Sequence, residues 1–268
     1  MTTTQVNAVN NPSLANKLVE EALSQVEQAP VKQKVATPPD TSVTLSAGVL
    51  DPIDGLIMTA EVRELTGADE EAIAKASDTG KALLTILDRA VVKVGDHESP
   101  KDLMDVMLAG DRELLLLTIR RVTFGDDVIF DGVVCPNCTQ PQKITVLLNK
   151  DVKIKELEGG TTFSITGKAG DFEVALPNGI VQKTLINSAL KTTAELDTLV
   201  LKGCIKSING KPLMDVEEVR NLSIKDRRDI LQAISDRNPG PQLSEVTKQC
   251  PSCGSEVPLP LTLAELFQ

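Results

Sequence analysis

Two short stretches carry the residue types best suited to chemistry, Cys135-Pro-Asn-Cys138 and Cys250-Pro-Ser-Cys253. A turn that separates two thiols by two residues brings both sulfurs to one side, where they can share a metal ion. Two such turns supply four sulfur ligands, the closed tetrahedral set that Zn²⁺ takes in structural sites. Cys135, Cys138, Cys250 and Cys253 are therefore the candidate metal ligands, for one structural zinc ion per chain. Four thiolates leave no open position for a substrate or an activated water. Each pair is followed by an alternating apolar stretch, Ile144-Val146-Leu148 and Val257-Leu259-Leu261-Leu263, which predicts a strand after each turn and a zinc-ribbon-like site.

The remaining chemical inventory is thin. His97 is the single histidine, and its loop Gly95-Asp-His-Glu-Ser99 suits a solvated residue better than a catalytic base. Glu70-Glu71 and Asp126-Asp127 are adjacent acidic pairs whose side chains diverge on a helix or strand, so both read as solvated surface. Cys204 lies in the apolar run Leu199 to Ile205 and reads as a buried thiol. No phosphate-binding glycine loop, zinc-protease motif or nucleophile elbow occurs, so the sequence reads as that of a protein without catalysis.

Composition excludes more than it selects. The chain has five Phe, no Trp and no Tyr, and a formal net charge of -10. A phosphate backbone favours a basic surface, and single-stranded bases stack on aromatic rings, so nucleic acid is not the expected partner. A zinc-ribbon adaptor or nucleic-acid-binding protein is the competing class. It calls for a basic stripe near the cysteines, yet residues 125–132 contain Asp126, Asp127 and Asp131. No apolar run approaches the roughly 20 residues that span a bilayer, and Met1 to Asn11 lacks the features of a signal peptide. Paired thiols without export signals point to folding in a cytoplasm, and no membrane association is expected.

The elements that must position the cysteines follow from periodicity. Residues 1–42 read as an N-terminal arm and linker, with one amphipathic helix possible over Ser13 to Gln28. Val43-Thr-Leu45 and Leu56-Ile-Met58 flank a turn and predict a strand pair. Helices are predicted from Thr66, over Lys81 to Val94, over Lys101 to Leu108, and from a cap at Asp111 through Val122. Val128 to Val134 is the strand that reaches the first cysteine pair. Residues 151–170 read as a connector, Phe172 to Leu176 as a strand, and Lys191 to Val200, Val216 to Leu222 and Ser223 to Ile234 as helical.

The two halves run in the same order. Cys250 lies 250 − 135 = 115 residues beyond Cys135, and the same offset carries Asp111-Arg112 onto Asp226-Arg227. It also carries Gly95 onto Gly210, Met104 onto Val219, Ile119 onto Ile234 and Gly125 onto Gly240. Upstream, an offset of 125 places Leu65-Thr66 on Leu190-Lys191, as if ten residues near Ser77 to Lys81 were extra in the first copy. The expected fold is α+β. Two pseudo-repeats, residues 43–150 and 171–268, each hold a strand pair, helices and a cysteine knuckle. The four cysteines join them, and the arm precedes them.

The segment Asp111-Arg-Glu-Leu-Leu-Leu-Leu-Thr-Ile-Arg-Arg-Val-Thr-Phe-Gly125, with the strand and Cys135-Pro-Asn-Cys138 that follow, resembles a particular phage family. Its members are the baseplate hub and hub-assembly proteins of T-even-type contractile-tailed bacteriophages. The match is carried mainly by residues 80–150. The resemblance implies a non-enzymatic structural protein of a tail baseplate, in its hub or wedge region. It would act through contacts with other baseplate and tail proteins, as one part of a multi-subunit assembly made in the host cytoplasm and carried in the virion. It equally allows an assembly chaperone that leaves before the particle is complete.

Overall fold

The computed structural model describes residues 40–189, 192–259 and 261–267. The arm reading therefore falls outside the described residues up to residue 39, as do Leu190 and Lys191.

The first sheet is antiparallel in the order β1 (Ser42–Asp51), β2 (Gly55–Val62), β3 (Val91–Val94), β4 (His97–Glu98). Helices α1 (Gly67–Ala74) and α2 (Thr79–Ala90) lie between β2 and β3 in the chain, and α3 (Lys101–Val106) and α4 (Ala109–Phe124) follow β4. The second sheet repeats this order with β8 (Thr162–Gly167), β9 (Gly170–Ala175), β10 (Ile205–Ile208) and β11 (Lys211–Pro212). Its helices are α6 (Gly179–Ile186) and α7 (Thr193–Cys204) before β10, then α8 (Val216–Arg220) and α9 (Ile224–Arg237) after β11. Between the two lie the hairpin β5 (Asp127–Val134) and β6 (Pro141–Leu147), the short helix α5 (Leu148–Asp151) and β7 (Ile154–Lys155). The chain closes with β12 (Gly240–Pro241), paired to β7, and the hairpin β13 (Thr247–Gln249) and β14 (Glu256–Pro258).

Helix α4 organises the core. Leu114 to Leu117 and Ile119 are all buried along it, each contributing about 1.5–3 kcal/mol by leaving water. Leu115 and Ile119 face the first sheet with Val62, Val94 and Met107, whereas Leu117 faces the cluster around the cysteines with Val146 and Leu148. A helix apolar on two sides can serve two cores at once. The second sheet has a core of its own, built on Phe172, Val174, Leu201, Ile205, Ile230 and Ile234.

Several sequence expectations change on contact with this architecture. The apolar stretch Lys81 to Val94 is not one helix. It ends at Ala90, and the β-branched run Val91-Val92-Lys93-Val94 pairs with β2 as β3. Helix α4 starts at Ala109, so Gly110 lies inside it and Asp111 is not its cap. The connector 151–170 contains β7 and β8. Residues after Asn178 were unassigned by periodicity but form α6, with the Asn178 side chain accepting the Val181 N–H at 3.2 Å. The strand expected over Val257 to Leu263 stops at Pro258, because two prolines in Val257-Pro258-Leu259-Pro260 remove ladder donors.

Asp111 has a different employment. Its carboxylate accepts the backbone N–H groups of Ser46 at 2.6 Å, Ala47 at 3.1 Å and Gly48 at 2.9 Å, in a bulge of β1. Arg112, also buried, donates to the Met104 carbonyl at 2.6 Å and to Gln182 Oε1 on α6 at 2.6 Å. In the second half, Asp226 accepts from Lys168 and Ala169 at 2.8 and 3.2 Å, and Arg227 donates to the Val219 carbonyl at 3.2 Å.

Thr44 pairs with Thr59 and Thr166 with Asp171, so the first hairpin runs through residues 45–58 where the second turns within 167–170. The ten extra residues expected near Ser77 to Lys81 rest on Leu190 and Lys191, which lie outside the described residues. The Gly95 N–H bonds to the Thr59 carbonyl, and the Asn209 N–H bonds to that of Asp171. Both residues open their turns at positive φ, 58° and 52°.

The halves meet through backbone. The Ala109 N–H donates to the Pro177 carbonyl at 2.8 Å, and the Gly179 N–H to that of Met107 at 3.0 Å. Gly110 lies so close to Pro239 that a Cβ would come within 1.9 Å of its carbonyl oxygen.

Candidate metal centre

Each cysteine pair sits at the tip of a two-stranded hairpin, the first on β5–β6 and the second on β13–β14. Both tips fold alike. The Thr139 N–H returns to the Cys135 carbonyl at 2.9 Å, and the Gly254 N–H to the Cys250 carbonyl at 2.8 Å. Thr139 and Gly254 both take positive φ, 57° and 75°, which turns the chain back under its sulfurs. Cys135 and Cys250 are buried, Cys138 is half-buried and Cys253 is exposed.

The two tips face one another. Cys135 Sγ lies 3.7 Å from Cys253 Sγ, and Cys138 Sγ lies 3.8 Å from Cys250 Sγ. All four sulfurs fall within 4.8 Å of one another. A tetrahedral ion with Zn–S bonds of about 2.3 Å separates its sulfurs by about 3.8 Å, so the cluster has the dimensions of a closed tetrahedral thiolate site. Two further bonds join the tips: Ser252 Oγ donates to Gln142 Oε1 at 3.2 Å, and Asn137 Nδ2 approaches Cys253 Sγ at 3.7 Å.

The electrostatics of the bare cluster favour a cation. The hydroxyl and N–H of Ser255 lower the Cys253 thiol to about 6. At Cys138 the Gln140 N–H favours the thiolate, but burial and the three neighbouring sulfurs prevail and push it up to about 11. Four sulfurs this close cannot all ionise without a positive charge among them. Cys204 is no part of the group. It is fully buried in the second core, where burial pushes its thiol up to about 11.

The family model for T4 bacteriophage base plate protein matches residues 52–267, which include both cysteine pairs and all but the outermost strand segment of the described fold. The chain belongs to this family. No curated protein and no solved structure matches it. As a T4-type baseplate protein it is a component of the phage tail and assembles with other baseplate proteins. Among the described residues, no helix is long and apolar enough to cross a membrane.

In the baseplate protein Glu70, Glu71 and Asp127 are exposed, as their sequence suggests, whereas Asp126 and Asp54 have ion-pair partners. Asp126 pairs with Arg121 at 2.5 Å beside the Gly125 turn. His97 meets Asp54 at 2.7 Å, and Asp51, Asp54 and His97 form a second group of potential ligands, largely solvated. That contact ties the long β1–β2 hairpin to the β3–β4 turn, a role invisible without the register of the sheet. Phe124 and Gly125 end α4, with the Arg120 guanidinium 5.0 Å from the Phe124 ring.

Proposed function

We propose that this chain is a structural subunit of the tail baseplate, in its hub or wedge region, held in shape by one zinc ion. Cys135, Cys138, Cys250 and Cys253 would hold the ion, which supplies cohesion between two hairpins and no chemistry. The observation that carries this reading is the agreement between sulfur spacings of 3.7 and 3.8 Å and the family match across residues 52–267. A four-sulfur site has no free position for catalysis, in keeping with a protein that works through its surfaces.

The zinc would also join two copies of one ancestral unit, residues 43–150 and 171–268, with 151–170 between them. Support comes from the identical strand order, from Asp111 and Asp226 each binding backbone N–H groups of the first hairpin of their sheet, and from the paired Thr139 and Gly254. Each copy supplies one knuckle, so neither half completes the site alone.

Mass spectrometry of purified phage particles tests the reading. The chain should be present in stoichiometric amounts with the other baseplate proteins. Its presence only in infected-cell lysates would replace the structural role with that of an assembly chaperone.

A further inference from the structure

A cavity of about 270 Å³ opens where α4 of the first half meets the end of α9 and the segment after β12. Its walls are mixed: Pro177, Leu231, Ile234 and Pro241 alternate with the polar Ser235, Gln242 and Ser244, and two acceptors stand out among them. One is the Glu113 carboxylate, which makes no hydrogen bond or ion pair among the described residues. The other is Asn238 Oδ1, which is buried and has no partner. No Lys, Arg or His lines the cavity. Two acceptors with no cation beside them, in an acidic chain, are an incomplete arrangement, because a buried acceptor left unpaired is destabilising.

We infer that this cavity binds a primary alkylammonium group, the end of a lysine side chain from a neighbouring protein. The chemistry of the lining selects it. An ammonium brings three donors and one positive charge, enough for Glu113, Asn238 and one further acceptor, while its methylene stem lies along Leu231, Ile234 and Pro241. A guanidinium is a planar fork suited to a bidentate carboxylate and does not match one carboxylate and one amide oxygen on separate helices. The state of Glu113 agrees: burial pushes its carboxyl up to about 7, the condition of a carboxylate that lacks its cation. The source, a lysine of another subunit, rests on the structural reading above; the ammonium chemistry does not.

The probe is n-butylammonium chloride, added to the full zinc-loaded chain and followed by the NMR shifts of the Asn238 side-chain amide and the Ser244 backbone amide. Saturable shifts are expected, with n-butanol, which has the same stem and no charge, binding at least about tenfold more weakly. Glu113→Gln should remove that preference while the thermal midpoint stays within a few degrees. Equal binding of butanol, or no saturable shift, overturns the site and requires no variant to fold. The peptide Gly-Lys-Gly, with blocked termini, and spermidine separate the sources. Binding of the peptide within tenfold of butylammonium supports the lysine. Spermidine binding tenfold tighter than the peptide overturns the lysine assignment in favour of a free polyamine. Neither result depends on whether the chain is found in particles.

Discussion

The carboxylates of Asp111 and Asp226, at equivalent places in α4 and α9, each reach out of their helix to accept backbone N–H groups from the first hairpin of their own sheet. The surroundings differ. Ser46 and Gly48 are buried, whereas Lys168 and Ala169 are exposed, so water can replace Asp226 but not Asp111. Asp111→Ala should cost about 3 kcal/mol, since it strands several N–H groups, and Asp226→Ala about 1 kcal/mol. Urea unfolding of the two variants checks the order; equal losses would show that the two carboxylates are not set apart by solvent access.

Asp69 gives the acid dependence. It is buried, with Arg63 at 2.6 Å and Arg89 at 2.5 Å, and accepts the Thr66 N–H at 2.8 Å. The Arg63 guanidinium, more than the Thr66 and Arg89 bonds, holds its carboxyl far below the usual range against the opposing effect of burial. An unfolded aspartate takes up a proton as pH falls through about 3.9, while the folded one refuses it. The stability from this group is therefore complete above that pH and drains away below it. Asp69→Asn should lower stability at pH 7 by about 3 kcal/mol and flatten the loss between pH 5 and 2. Thermal melts across that window, compared with the parent chain, read out both effects.

Gly110 and Gly125 separate crowding from backbone strain. Both are glycines of α4 or its end, yet a Cβ on Gly110 meets the Pro239 carbonyl, while one on Gly125, at φ 86°, meets nothing within 4 Å. Gly110→Ala should push the halves apart and cost about 3 kcal/mol, and Gly125→Ala about 1 kcal/mol from its left-handed φ alone. Calorimetry that ranked Gly125→Ala as the worse variant would contradict the close approach.

The two cysteine pairs and most helices could be read from residue types and spacing, because a thiol pair and an amphipathic period are local signals. What could not be read was set by distant partners. Val91 to Val94 continues a helical apolar pattern and becomes a strand only because β2 offers it an edge. Asp111 looks like a cap until the bulge at Ser46 to Gly48 claims it. The length of the β1–β2 hairpin was not legible either, since only the pairing of Thr44 with Thr59 shows that it encloses residues 45–58. Glu113 and Asn238 come together through the packing of α4 on β12 and the chain just before it, and no local pattern announces them.

The zinc joint is tested most directly by measuring metal content and metal–ligand distances on freshly purified protein. Native mass spectrometry should find one zinc per chain, and X-ray absorption should find four sulfurs at about 2.3 Å. Cys138→Ser or Cys253→Ser should each release the ion and loosen both hairpins. Two zinc ions per chain, each with two sulfurs, would contradict the account, as would four freely titrating thiols and no metal.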